Sequence, residues 1–421
     1  MLVAICKRRK SMLNQKQMEQ FAELTVRVGA NMQPGQTVVV RCDVACQEFA
    51  HLIVAKAYEF GAKKVIMQWS DEIVSRMGML NQSVESLCEV PQWAIDQSQY
   101  FIDQKVCLIS IKAGDPNIYK GCDPIKLKES ALASGKAMIN FRKATMSNLL
   151  RWTLVSIPTP AWAQQVFPGI PAEEAVDKMW DAIGHIMRLD QEDPTKAWFD
   201  HIDVLTRRAA YLTSHNFETI HMYNAQGTDL YVGLAIEHEW IAAREMGQDG
   251  VPFTANMPTE EIFTAPHNKK INGTVVSALP LVNNGNIIDN FSITFKDGRA
   301  VDYSAEVGYD ALKGLLTADE GVLSLGEIAL IGKNSPIAES GILFFNTLFD
   351  ENASCHLAFG QSYPTTVKNG NSLTEEQLAE RGMNSSIKHV DFMVGTKDIN
   401  IDGIGFDGKV VPLFRDGEWV I

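Results

Sequence analysis

No stretch of 18 apolar residues occurs anywhere in the 421-residue chain, so nothing in it reads as a membrane-spanning helix. A secretory leader is equally illegible, because the short run Leu2-Val3-Ala4-Ile5 precedes the basic cluster Lys7-Arg8-Arg9-Lys10 instead of following it. Cysteine is sparse and odd in number: Cys6, Cys42, Cys46, Cys88, Cys107, Cys122 and Cys355 are scattered, with no C-x-x-C pair. That usage fits free thiols in a reducing compartment and argues against a disulfide framework, so we expect a cytoplasmic protein. Positive charge is in deficit, 38 basic side chains against 51 acidic ones, and the net charge of −13 repels phosphate backbones and anionic lipid. Nucleic acid and membranes are therefore not expected partners, and Lys7–Lys10 reads as a solvated tail. With 46% hydrophobic and 21% charged residues the chain is not disordered, and its length calls for more than one core.

What is present falls into two textures. Gln15 to about Gly29 has helical apolar spacing and is broken by Asn31 to Gly35. Thr37-Val38-Val39-Val40 then reads as a buried strand, Gln47 to Phe60 as a helix ending at Gly61, and Lys64-Val65-Ile66-Met67 as the next strand, which is the pattern of a right-handed βαβ unit. Further strands are expected at Val106 to Ile111 and Trp152 to Ser156, with helices between Asp123 and Asn148 and from Ala161 to about Tyr211. After His215 short strand-like segments alternate with turn dipeptides: Gln226-Gly227, Asn284-Gly285, Asp297-Gly298, Asp402-Gly403, Asp407-Gly408 and Asp416-Gly417. The expected fold is an α/β N-terminal domain with a parallel-sheet core over 1–210, followed by a β-rich α+β C-terminal domain over 211–421. The boundary is expected near 205–215.

Several familiar motifs fail on inspection. Gly403 to Gly408 matches G-x-G-x-x-G but lies too near the C-terminus for a following helix and ribose-binding acid. His238-Glu239 begins like a zincin helix, yet Ala242 occupies the second ligand position. Gly360-Gln361-Ser362-Tyr363-Pro364 lacks the final glycine of a nucleophile elbow, and no Walker A loop exists.

The chemistry-bearing residues lie in the second half. In Ser386 to Val394 a strand period of two puts His389 and Asp391 on one face, about 6.6 Å apart, close enough to grip one cation. Glu327 sits inside the apolar run Ser324 to Ile331, where an unpartnered carboxylate is costly and needs a cation or donors. Glu351 and His356 are five apart, which suits a loop around an ion better than one helical face. Glu260 and Glu261 lie in a Pro-bounded extended segment, Pro258 to Pro266, with side chains expected on opposite sides, one facing in and one out; taken alone it reads as a solvated acidic loop. Together Glu261, Glu327, Glu351 and Asp391 supply four negative charges and His356 and His389 two neutral donors, a set that two divalent cations would balance. Oxygen ligands with some imidazole suit Zn, Co, Mn or Mg.

At these residues the chain resembles the aminopeptidase T / aminopeptidase S family of dinuclear metallopeptidases. The resemblance rests on Pro258 to Pro266, Gly326-Glu327, Asp350 to Gly360 with Tyr363, and His389-Val390-Asp391, in that order. Met32 to Gln36 and Pro158 to Ala163 extend it over nearly the whole chain. It implies metal ligands at Glu261, Glu327, Glu351, His356, His389 and Asp391, with Glu327 bridging, His356 and Glu351 on one ion, and Glu261, His389 and Asp391 on the other. It further implies hydrolysis of the first peptide bond of peptides with a free amino terminus, with Tyr363 serving the oxyanion, a non-ligand acid such as Glu260 moving the proton, and a homodimer enclosing the site. Two alternatives compete: another dinuclear hydrolase, such as an amidohydrolase or phosphoesterase, and a non-catalytic binding module. A phosphoesterase calls for basic groups near the metals, and the nearest, Lys388, falls on the strand face opposite His389 and Asp391.

Overall fold

A computed structural model describes residues 13–283 and 286–421. The Lys7–Lys10 cluster, Cys6 and the Asn284-Gly285 dipeptide lie outside the described residues. The chain forms two compact units: one runs to Phe141 and resumes over Leu150–Trp198, and the other comprises Arg142–Leu149 and Phe199–Ile421. The division at Trp198 falls inside the helix Pro194–His215, ahead of the change in sequence texture near 205–215. An uninterrupted helical pattern offers no compositional signal at such a point.

In the first unit, strands β1 (Thr37–Asp43), β2 (Lys64–Ser70), β3 (Cys107–Lys112) and β4 (Trp152–Ser156) form a parallel sheet in the order β2-β1-β3-β4. Val38, Val39 and Val40 are all fully buried, as expected for an interior parallel strand covered on both faces. The helix Gln47–Glu59 between β1 and β2 buries Phe49, Ala50, Ile53 and Ala57, the spacing of one apolar stripe. It stops before Gly61, whose φ of +89° the left-handed region makes cheap only for glycine. Val39, Phe101, Val106 and Leu108 pack with Ile66, Phe141 and Trp152 into one core cluster. The helix expected over Gln15 to Gly29 is α-helical only over Gln15–Leu24 and continues as a π-helical turn over Thr25–Gly29. The hydroxyl of Thr25 donates to Phe21 O at 2.9 Å, the back-bonding by which buried threonines perturb helices.

The second unit is β-rich. One sheet runs, in order, through Leu281–Asn283, Asn286–Lys296, Pro266–Val276, Asp229–Leu234, Thr219–Tyr223, Asn400–Ile404, Val410–Arg415 and Glu418–Trp419, with Arg299–Val307 on the second of these. Its pairings are antiparallel, and Asp297-Gly298 and Asp416-Gly417 turn its hairpins with positive φ at both residues. Asp402-Gly403 is no turn: it lies within Asn400–Ile404, where a Cβ on Gly403 would stand 2.6 Å from the Phe217 ring, so the glycine serves packing. A second sheet has four antiparallel strands, β5 (Ile262–Thr264), β6 (Leu325–Leu330), β7 (His356–Gly360) and β8 (His389–Met393), in the order β8-β7-β6-β5. Among the described residues no helix is long and apolar enough to cross a membrane.

Candidate metal centre

The register of the four-stranded sheet explains which side chains meet. Glu327 on β6 pairs with Ala358 on β7, and Ala358 pairs with Asp391 on β8; Gly360 pairs with His389, and Ala329 with His356. Directly opposed residues share a face, so Glu327, His356, His389 and Asp391 all project from one side. The two residues of the central strand between them, Ala358 and Gly360, are small and leave the longer side chains room to converge. Gly326 is required beside Glu327, because a Cβ there would stand 2.4 Å from the carbonyl oxygens of Gly360 and Gln361. The strand bulges at this point, between Leu325 and Glu327.

Two donor groups result, Glu261 with Glu327 and His356, and Glu327 with His389 and Asp391. Glu327 belongs to both: its Oε1 lies 3.3 Å from His356 Nε2 and its Oε2 3.9 Å from His389 Nε2. Glu261 Oε2 is 3.4 Å from the same His356 nitrogen, and Asp391 Oδ1 is 3.2 Å from His389 Nε2. Glu261 thus stands with His356 rather than with His389 and Asp391. The reason is positional: it precedes Ile262, which pairs with Leu330, and the adjacent Ala329 pairs with His356, whereas His389 and Asp391 lie across the central strand. Glu260 and Glu261 are both buried, at 7% and 9% exposure, so neither the one-in, one-out expectation nor the solvated-loop reading describes them. Glu351 lies in the single turn Glu351–Ala353 and joins neither three-residue group, although its carboxyl feels the charges of Glu261, Asp391, His356 and Glu327.

This donor set fits divalent cations. Two ligands about 2.1 Å from one ion stand roughly 3.0–3.5 Å apart, close to the separations above. Both imidazoles turn Nδ1 toward a backbone carbonyl, His389 to Gln361 O at 2.7 Å and His356 to Ser354 O at 3.4 Å. With Nδ1–H donating there, each Nε2 presents a lone pair toward carboxylate oxygens, an arrangement that needs a cation or a proton between them. Asp391 Oδ1 is buried without a well-formed hydrogen bond.

The electrostatics show the same strain. Burial, followed by the charges of Glu261 and Asp391, drives the Glu351 carboxyl well above its ordinary range. Burial also raises Glu327, against the opposing pull of the two histidines. Burial pulls His356 down, but its hydrogen bonds to Glu261 and Glu327 prevail and take it well above 6.5. His389, likewise disfavoured by burial, is carried by Asp391 and Glu327 to about 10, and the Asp391 carboxyl lies below its usual value because the charge of His389 outweighs burial. Tyr363 packs edge-on to His389 with ring centroids 4.8 Å apart. Burial and the surrounding carboxylates hold its phenol well above 10, so it remains a hydrogen-bond donor.

A family model described as thermophilic metalloprotease (M29) matches residues 14–419. The chain belongs to the thermophilic metalloprotease family. Among its relatives, aminopeptidase 2 of Geobacillus stearothermophilus is 44% identical over 405 residues, which span 96% of this chain and 98% of that protein. Aminopeptidase T of Thermus aquaticus is 37% identical over 96% of this chain and 98% of its own length. The solved structure of wild-type AmpT from Thermus thermophilus superposes with a TM-score of 0.90 at 35% identity, covering 97% of this chain and 100% of that one. A 2,5-dihydroxypyridine dioxygenase from Pseudomonas putida shares only the fold, with a TM-score of 0.50 at 12% identity. Membership of a metalloprotease family makes divalent-metal use a property of this chain and leaves the binding-module alternative without support.

Three residues around the centre escaped the sequence reading. Asn352, fully buried, accepts the Glu260 N–H on Oδ1 at 2.7 Å and donates from Nδ2 to Leu348 O at 3.1 Å, linking the Glu260-Glu261 segment to the turn that bears Glu351. His201 Nε2 lies 2.9 Å from Thr259 O and 3.4 Å from Glu260 Oε2. Glu245 receives a hydrogen bond from Asn148 Nδ2 at 2.8 Å, and burial, with the charge of Glu261 adding to it, raises its carboxyl. Asn352 lies within the Asp350 to Gly360 stretch, beside Glu351, but its contact with Glu260, like those of His201 and Glu245, is made far away in the chain and leaves no local signal.

Proposed function

We propose that this metal-dependent aminopeptidase holds two divalent cations, one between Glu261, Glu327 and His356 and one between Glu327, His389 and Asp391, with Glu351 completing the set. The observation that carries this reading is Glu327, whose Oε1 lies 3.3 Å from His356 Nε2 and whose Oε2 lies 3.9 Å from His389 Nε2. Bound there, the cation pair supplies Lewis acidity, which acidifies water and polarises the scissile carbonyl. The substrates are peptides with a free amino terminus. Zn, Co, Mn and Mg all suit the oxygen-rich ligands.

The chain's own residues do the rest. Second-sphere carbonyls, Gln361 O on His389 and Ser354 O on His356, keep each Nε2 aimed at the centre. Tyr363, protonated across the working pH range, donates to the oxyanion that develops on the scissile carbonyl. Glu260 carries a proton from the attacking water to the leaving amine. We further propose a cytoplasmic homodimer; the net charge of −13 supports the absence of nucleic-acid and membrane partners.

The test is a panel of aminoacyl chromogenic amides, assayed before and after chelation and after return of each metal, with N-acetylated amides as controls. Cleavage that chelation removes, metal restores and N-acetylation abolishes supports the proposal. Equal cleavage of the acetylated amides would contradict the requirement for a free amino terminus.

A further inference from the structure

The Thr259-Glu260-Glu261 segment is held from two sides by buried side chains. Asn352 takes the Glu260 N–H, as described above. From the other side, the helix Pro194–His215 presents His201, whose side chain is 13% exposed, against Glu260 at 7%. A single ring nitrogen, Nε2, lies within reach of both the Thr259 carbonyl at 2.9 Å and the Glu260 carboxylate at 3.4 Å. Both partners are acceptors, so this nitrogen carries the hydrogen: it donates to the Thr259 carbonyl, and the Glu260 carboxylate lies beside it at ion-pair distance.

We propose that His201 is a positioning residue for proton transfer: bound to the Thr259 carbonyl and beside the Glu260 carboxylate, it holds that carboxylate in place to serve the leaving amine. The inference rests on the reading of Glu260 as the proton carrier, and the experiment separates the two. His201 itself does not touch the scissile bond. A carboxylate released from this contact would still sample its working position, but for a small fraction of the time, which lowers turnover and leaves substrate binding intact.

The experiment uses the full-length, metal-loaded enzyme and one aminoacyl chromogenic amide. His201→Gln keeps an amide N–H of similar reach, whereas His201→Asn is too short and His201→Ala removes the donor. Glu260→Gln is made alone and combined with His201→Ala. Expected is a loss in kcat of about tenfold to a hundredfold for His201→Ala and His201→Asn, with KM within about twofold and metal content per chain equal to that of the unmodified enzyme. His201→Gln is expected to recover most of the loss, and His201→Ala to add nothing once Glu260 is already Gln. Should His201→Ala fail to fold, the Gln and Asn pair carries the same comparison. The proposal is overturned if His201→Asn keeps kcat within twofold, if the loss tracks lost metal, or if His201→Ala costs the same in both backgrounds. If instead Glu260→Gln alone keeps full activity, the proton-carrier reading fails, whatever His201 does.

Discussion

Replacing Glu327 by Gln is expected to change stability in opposite directions with and without metal. In the metal-free chain Glu327 is a carboxylate 5% exposed, pushed up by burial and by Asp391 and Glu261. Gln has the same shape, still accepts from His356 on Oε1, and removes a charge that burial and the two neighbouring carboxylates disfavour more than the two histidines favour it, so Glu327→Gln in chelator should gain stability, on the order of 1 kcal/mol. With metal present the balance reverses, because the shared ligand of both groups is lost. A ligand at 100 times its Kd stabilises by about 2.7 kcal/mol per site, so two occupied sites contribute roughly 5 kcal/mol, or about 10–20 °C at 2–4 °C per kcal/mol for a unit of this size. The unmodified enzyme should therefore melt well above the variant in metal and slightly below it in chelator. Thermal melts of both proteins, at one pH, with chelator and with each metal, read this directly. A variant that gains as much from metal as the unmodified enzyme would refute the placing of Glu327 between two cations.

Other consequences can be checked separately. Tyr363→Phe should lower kcat/KM by about 10²–10³-fold with metal content unchanged, and a loss under twofold would remove the phenol from the reaction. Metal must displace protons from the histidines, so with His389 at about 10 in the metal-free chain, affinity should rise with pH from neutrality toward 10, and calorimetry in buffers of differing ionisation enthalpy should record proton release. Because the folded-state value of His389 is raised from 6.5, its contribution to the stability of the metal-free chain is fully present below pH 6.5 and lost as pH rises through about 10. Denaturant titrations in chelator should show that decline, and the metal-loaded protein should lack this component. Gly326→Ala forces a Cβ to within 2.4 Å of two backbone oxygens and should lower the melting temperature in chelator and in metal alike, separating strand damage from ligand loss.

Much of this was legible in the sequence, and the parts that were not share a cause. The Val38–Val40 run, the helix ending before Gly61 and the alternation of His389 and Asp391 are local patterns with period 2 or 3.6, and each meets its expected element. The grouping of the candidate ligands is not local. Whether Glu261 stands beside His356 or His389 depends on which strand flanks β6, a register that no single segment encodes. The same holds for Asp402-Gly403, a turn dipeptide by composition but a strand interior because Phe217 packs over the glycine. His201 and Asn352 both meet Glu260, which lies far from each in the chain.

Whether two cations share Glu327 is read most directly by titrating the chelated enzyme with one divalent metal, following bound metal and peptidase activity together. Activity should saturate as occupancy reaches about two ions per chain, and the Glu327→Gln variant should hold neither ion tightly. Full activity at one ion per chain, or tight binding of two ions by Glu327→Gln, would contradict that sharing.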